Sequence, residues 1–154
     1  MAWFVVLLLL IAVVIFYKWF TKKYGRGSKY DIPIGNIAGP GKFEFDIVGE
    51  SHYQRALQRI AGPKGEDSKR RPCVATLVLD DDNEHDNMAV RVDIEGETVG
   101  YLDRNMARQY RKELARQGVN GYRLHAEAPI VGGWDRGGSD RGHYGVKLDL
   151  PLAG

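Results

Sequence analysis

The chain opens on an unbroken apolar run. Residues 2–17 carry no polar side-chain group except the Trp3 indole N–H and the Tyr17 hydroxyl, and the pattern continues through Lys18, Trp19 and Phe20. At about 1.5 Å per residue, a helix over residues 2–17 spans about 24 Å and one over residues 2–20 about 28 Å, close to the ~30 Å hydrocarbon core of a bilayer. Residues 21–41 lose the apolar periodicity and hold most of their turn formers as glycine and proline, so they read as a basic, then Gly/Pro-rich linker. Alternation returns over residues 42–48, where Phe43, Phe45 and Ile47 predict a half-buried strand. Ser51, with Gln54 three positions on, reads as a capping box opening a helix whose Tyr53, Leu57 and Ile60 share one face and which stops at Gly62-Pro63. Residues 64–71 are polar and read as a mobile loop. A second strand follows over residues 73–79, then an acidic turn over residues 80–87. Val90, Val92 and Ile94 alternate, Glu95-Gly96-Glu97 turns, and Val99, Tyr101 and Leu102 return as a hairpin. Asp103 caps a second helix running to Gln117, buried through Met106, Ala107, Tyr110 and Leu114 and stopped by Gly118. Residues 122–131 form a strand, 132–142 a glycine-rich loop and 144–150 a last strand. Short strands punctuated by two helices, without regular βαβ alternation, predict a mainly β, small barrel-like domain.

Composition narrows the class. Of 154 residues, 27% are charged and 44% hydrophobic, the balance of one globular domain with a short appendage. The single cysteine, Cys73, rules out an internal disulfide and a multi-cysteine zinc module. Charge is uneven along the chain. Lys18, Lys22, Lys23, Arg26 and Lys29 all precede the first acidic residue, Asp31, which leaves 17 of the 22 basic side chains against all 20 acidic ones and a balance of −3 for the rest. A domain that holds nucleic acid through its bulk field usually carries a basic excess; any such binding here must come from a local site.

The same five basic residues set the expected topology. Trp3 and Phe4 at one end of the run, and Tyr17, Trp19 and Phe20 at the other, read as interfacial aromatic belts. A cleaved signal peptide needs a basic leading region and a small-residue cleavage site, and neither is evident. The expectation is a retained single-pass anchor over residues 2–20, flanked by Lys18, Lys22 and Lys23, with the globular domain facing the cytoplasm under the positive-inside rule.

Catalytic chemistry is thinly supported. Residues 80–86 (Asp-Asp-Asp-Asn-Glu-His-Asp) begin like a calcium loop but lack its glycine and its distal bidentate glutamate. Only His85 offers nitrogen there, so no zinc or calcium is expected. Ser51 lacks the second glycine of a nucleophile elbow, and Cys73, ahead of an apolar strand, reads as a buried small hydrophobe. His52, His85, His125 and His143 are scattered. Residues 132–138 are too short for a phosphate loop, and Trp134 there is either exposed on a flexible lip or packed. Arg104, Arg108 and Arg111 share one helix face, a solvated face before a phosphate-binding one. No cofactor is implied.

Three stretches taken together resemble the HIRAN domain over residues 43–150: Val48-Gly49-Glu50-Ser51-His52-Tyr53-Gln54 with the following Ala56-Leu57; Asn83-Glu84-His85-Asp86-Asn87-Met88-Ala89-Val90-Arg91-Val92; and Val99-Gly100-Tyr101-Leu102. The resemblance implies an OB-like β-barrel with helices over residues 42–151. It also implies a module without catalysis of its own that captures the 3′ end of single-stranded DNA. By position, Ser51, His52 and Tyr53 would line the nucleotide site, with His52 and Tyr53 flanking the base. Asn83 and Asp86 would hydrogen-bond the sugar end, and His85 would stack beside it. A carboxylate accepting from a free 3′-hydroxyl suits this chemistry, because a phosphate there would be repelled. Where the DNA-capturing members have a basic residue and a tyrosine, this chain has Ser51 and His52, and His85 stands where they have a tyrosine. Histidine stacks less broadly, and its charge depends on pH. The expected function is a membrane-tethered module binding single-stranded nucleic-acid ends. A protein-recruiting scaffold and, third, a hydrolase or metal-dependent enzyme stay open.

Overall fold

In a computed structural model the described residues are 32–152. The expected transmembrane helix and its flanking Lys18, Lys22 and Lys23 lie outside them, and among the described residues no helix is long and apolar enough to cross a membrane. The elements run β1 (Ile34–Asn36), β2 (Phe45–Asp46), a 3-10 turn (Glu50–His52), α1 (Gln54–Ala61), β3 (Lys69–Arg71), β4 (Val74–Asp80), β5 (Ala89–Ile94), β6 (Glu97–Tyr101), α2 (Arg104–Gln117), β7 (Arg123–Glu127), β8 (Ile130–Gly132) and β9 (Tyr144–Leu148).

The strands form two open sheets, a five-stranded one in the order β1-β7-β4-β5-β6 and a four-stranded one in the order β2-β9-β8-β3. The domain is mainly β with two helices, as the sequence suggests, but the OB-like barrel expected for it is not formed. Closure requires the outer strands to pair, and here β1 and β6 remain edges of one sheet and β2 and β3 edges of the other. Two features keep the sheets apart. The segment expected as one strand over residues 122–131 breaks at Ala128-Pro129, so β7 stays in the first sheet and β8 joins the second. The chain beyond β2 meets β6 in an isolated antiparallel bridge of Val48 with Tyr101 before Gly49, at φ 81°, turns it away.

The core lies between the sheets and the helices. Ala75 and Leu77 of β4, Val90, Val92 and Ile94 of β5, and Tyr144, Val146 and Leu148 of β9 are buried with Leu57 and Ile60 of α1 and Met106, Tyr110 and Leu114 of α2. Burial at about 25 cal/mol per Å² of apolar surface makes this cluster the main stabilising term. The second helix forms as its local signals direct: the Asp103 carboxylate accepts from the N–H groups of Asn105 (2.8 Å) and Met106 (3.1 Å), and Gly118 ends it at φ 71°. The Glu95-Gly96 turn of the β5–β6 hairpin has φ values of 51° and 81°, the left-handed pair that a two-residue hairpin turn needs.

Other expectations are corrected. Ser51 does not cap α1. The chain enters through the 3-10 turn, Tyr53 precedes the helix without a side-chain cap, and Gln54 instead donates to the carbonyls of Glu50 (3.0 Å) and Tyr144 (2.8 Å) while accepting from the Tyr144 N–H (2.9 Å). The strand expected over residues 42–48 shrinks to β2, because Phe43 sits at φ 53° and breaks the alternation. The linker contributes β1, which pairs in parallel with β7, and the polar loop contributes β3, which pairs with β8.

Candidate functional site

The three stretches that carry the HIRAN resemblance meet at edge strand β6. The Val48 N–H donates to the Tyr101 carbonyl (2.8 Å), and the Tyr101 N–H donates back to the Val48 carbonyl (3.0 Å). This approach requires glycine at position 100: a Cβ there would lie 2.7 Å from the Val48 oxygen and 2.7 Å from Ile47 Cδ1. At the far side of β6, the Leu102 N–H donates to the Val90 carbonyl (2.9 Å) and fixes the strand to β5.

That junction sets two tyrosines side by side. The Tyr53 and Tyr101 ring centroids are 6.5 Å apart with planes tilted by 48°, a favourable offset geometry for two rings. The Tyr101 hydroxyl donates to Asp80 Oδ2 (3.3 Å), and its pKa is pushed up to about 12, first by burial and then by neighbouring Tyr53 and Asp80. Tyr101 therefore stays a neutral donor at physiological pH. Its ring is held by the hydrogen bond at one end and the Val48 bridge at the other.

From Asp80 a chain of hydrogen bonds runs through the acidic turn. Asn83 Nδ2 donates to Asp80 Oδ2 (3.1 Å), and Asn83 Oδ1 accepts from the N–H groups of His85 (3.0 Å) and Asp86 (3.2 Å), closing the turn locally as asparagine side chains do. Asp86 Oδ1 accepts from the Met88 N–H (3.0 Å), and Arg108 of α2 grips both carboxylate oxygens, Nη1 to Oδ2 at 2.9 Å and Nη2 to Oδ1 at 3.2 Å. Arg104 Nε stands 3.9 Å from the same Oδ2. Arg111 is taken up by the Met88 and Ala89 carbonyls and by Asp81. The hydrogen bond from Arg108, reinforced by the one from Met88, holds the Asp86 pKa below its ordinary value. A lowered folded pKa means that the stabilising pair is fully present above the ordinary carboxylate range and is lost as pH falls through the folded value. Asp86 is thus a charged acceptor throughout neutral pH.

Each residue expected at the site has a place. Ser51 and His52 are exposed on the 3-10 turn, and Tyr53 is half-buried against Tyr101. Asn83 is the staple of the acidic turn, His85 is exposed on it, and the Asp86 side chain is only 13% exposed. The structure joins Tyr53 to the Asn83–Asp86 turn through Tyr101 and Asp80, two residues absent from the expected set. Arg108 is a third. Its stripe with Arg104 and Arg111 is visible in the sequence, but its pairing with a carboxylate 22 residues earlier is not. Among the described residues no group of three or more His, Cys, Asp or Glu side chains is placed to hold a metal. Cys73 is half-buried, not buried as expected, and burial is the main cause pushing its thiol pKa up. Trp134 is half-buried, with Nε1 donating to Asp140 (2.9 Å).

Comparison of the chain with protein-family models, with curated proteins and with solved structures finds no match in any of the three.

Proposed function

We propose that the domain binds the 3′ end of a single-stranded nucleic acid, DNA in the first instance, as a non-catalytic module held at a membrane by residues 2–20. The observation that supports this reading is the continuous link from the Tyr53–Tyr101 ring pair through Asp80 and Asn83 to the Asp86–Arg108 pair. A terminal nucleotide needs three things: a flat apolar surface for its base, an acceptor for its free hydroxyl, and a cation for the adjoining phosphate. The tyrosine rings, with exposed His52 and His85 beside their segments, offer the first. Asp86 offers the second, because a carboxylate has about four acceptor sites and its described partners leave one open. Arg104 and Arg108 offer the third, in place of the basic residue missing at Ser51.

Stacking contributes about 1–3 kcal/mol per base, so two or three such contacts together with the Asp86 and arginine contacts bind a strand end without a strong bulk charge. A fluorescently labelled strand of about ten nucleotides, titrated against the whole chain in detergent micelles, tests this. Tyr53→Ala should weaken binding about tenfold for strands of any sequence. The logarithm of the affinity should fall with the logarithm of salt at a slope of only about −0.7 to −1.4, as one or two phosphate contacts dictate. A folded chain that binds no strand at low salt would remove the reading.

The tether has its own test. The whole chain should stay in the membrane through a carbonate wash, and protease added outside intact cells should leave the domain uncut, since all five flanking basic residues follow the apolar run. Release by carbonate would refute the anchor, and digestion from outside would refute the orientation.

A further inference from the structure

We propose that a second site, the cleft beside Asp149, binds an organic cation: a guanidinium group on a short apolar chain. Asp149 follows β9 and is 6% exposed, the one charged residue in the buried class among the described residues. Burying a carboxylate without a cation is costly unless hydrogen bonds or a ligand compensate it. Its Oδ1 accepts from the N–H groups of Gly41 (2.9 Å) and Lys42 (3.2 Å). Among the described residues Oδ2 accepts no hydrogen bond, and no ion pair includes Asp149. Half of the carboxylate is thus left for a donor from outside.

The surroundings fit such a donor. Asp149 lines an open cleft of about 600 Å³ together with His125, Glu127 and Val74 and the strap of residues 36–41, a volume within the usual range for small-molecule sites. The Asp149 N–H donates to the Glu127 carbonyl (3.0 Å), so the two carboxylate-bearing residues are neighbours. The strap is pressed onto Asp149: a Cβ at Gly39 would lie 2.6 Å from the Asp149 backbone carbon, so only glycine permits the approach. Two carboxylates facing one cleft, with no set of three or more His, Cys, Asp or Glu among the described residues placed to hold a metal, suit a cation that binds through hydrogen bonds. Guanidinium is more weakly hydrated than ammonium and presents a planar fork of donors, which suits a nearly buried carboxylate. Ile37, Pro40 and Val74, the last 55% exposed, supply apolar walls for the chain that carries it. The cleft lies at the Val74 end of β4, and the tyrosine pair joins Asp80 at the other end, so the two sites are separate.

The 1-butylguanidinium ion is the probe. Titrated into the isotopically labelled whole chain in detergent micelles, it should produce saturable amide shifts at Gly39, Gly41 and Lys42, half-complete near about 1 mM. Asp149→Asn keeps the shape and one acceptor but loses the charge, and should weaken the titration about tenfold or more. If that variant does not fold, Glu127→Gln carries the test with an expected loss of about threefold. 1-Butanol, matched in length and uncharged, should leave the three amides unmoved. The proposal is overturned by an absence of saturable shifts at these amides, by shifts confined to the acidic turn of residues 80–87, or by folded variants that titrate like the parent chain.

Discussion

Replacing Gly100 with alanine should lower the melting temperature by about 10 °C and abolish strand binding in the same variant. The added Cβ would stand 2.7 Å from the Val48 carbonyl oxygen and from Ile47 Cδ1. A flexible side chain would move aside, but this oxygen is backbone and accepts from the Tyr101 N–H at 3.0 Å. Relief therefore means opening the bridge between the segment after β2 and edge strand β6. Overpacking costs about 1–3 kcal/mol, and each hydrogen bond lost adds about 0.5–1.5 kcal/mol. A total of about 3 kcal/mol corresponds to about 10 °C in a domain of this size. Binding fails with it because the bridge places Tyr101 beside Tyr53. Gly121→Ala is the control: a Cβ there meets open space, and the change should stay within about 0.5 kcal/mol. Calorimetry of the two variants measures the difference, and a Gly100→Ala protein melting within about 2 °C of the parent would show that the junction is not tightly packed.

Gly100 also marks the boundary of what the sequence makes legible. Its place in Val99-Gly100-Tyr101-Leu102 is readable, whereas the reason for it, a carbonyl 52 residues earlier, is not. Elements carried by local signals are read correctly: α2 between the Asp103 cap and Gly118, and the hairpin around Glu95-Gly96. Elements made by distant pairing are not. Strand β1 lies in a stretch of glycine and proline and exists through hydrogen bonds with β7, as Ile34 pairs with Arg123. Strand β3 is Lys-Arg-Arg, a sequence without an apolar face, held by β8. Barrel closure is a still more global property: β7 ends before Pro129, the chain turns away at the left-handed Gly49, and the two sheets stay open. The same division holds for the site. Asp80, Asn83 and Asp86 share one turn by sequence proximity, but Tyr101 and Arg108 join it only through tertiary contacts. The capping role given to Ser51 fails because Gln54 Oε1, the acceptor a capping box would turn to the Ser51 N–H, is taken by the Tyr144 N–H.

Asp86→Ala should reverse the preference for strand ends, not merely erase it. In the parent protein the carboxylate accepts from Arg108 and the Met88 N–H, and the proposed reading has it accept from a terminal hydroxyl as well. A 3′-phosphate placed there meets the same negative charge and is disfavoured. Without Asp86, Arg108 and Arg104 lose their shared partner, and two guanidinium groups able to bind phosphate bidentately stand where the carboxylate was. A parent that favours the hydroxyl end by about tenfold should become a variant that favours the phosphate end by several-fold, roughly the effect of a charged hydrogen bond gained or lost. Asp86→Asn can still accept from Met88 and should land between the two. If Asp86→Ala leaves the ratio of the two affinities unchanged, the carboxylate does not read the strand end.

The most direct test of the 3′-end reading is the parent chain alone, titrated with two labelled strands identical except for a 3′-hydroxyl or a 3′-phosphate. Tighter binding of the hydroxyl strand by about tenfold, with little change when a 5′-phosphate is added instead, is the predicted result. Equal affinity for the two strands, or no binding of either by folded protein at low salt, would contradict it.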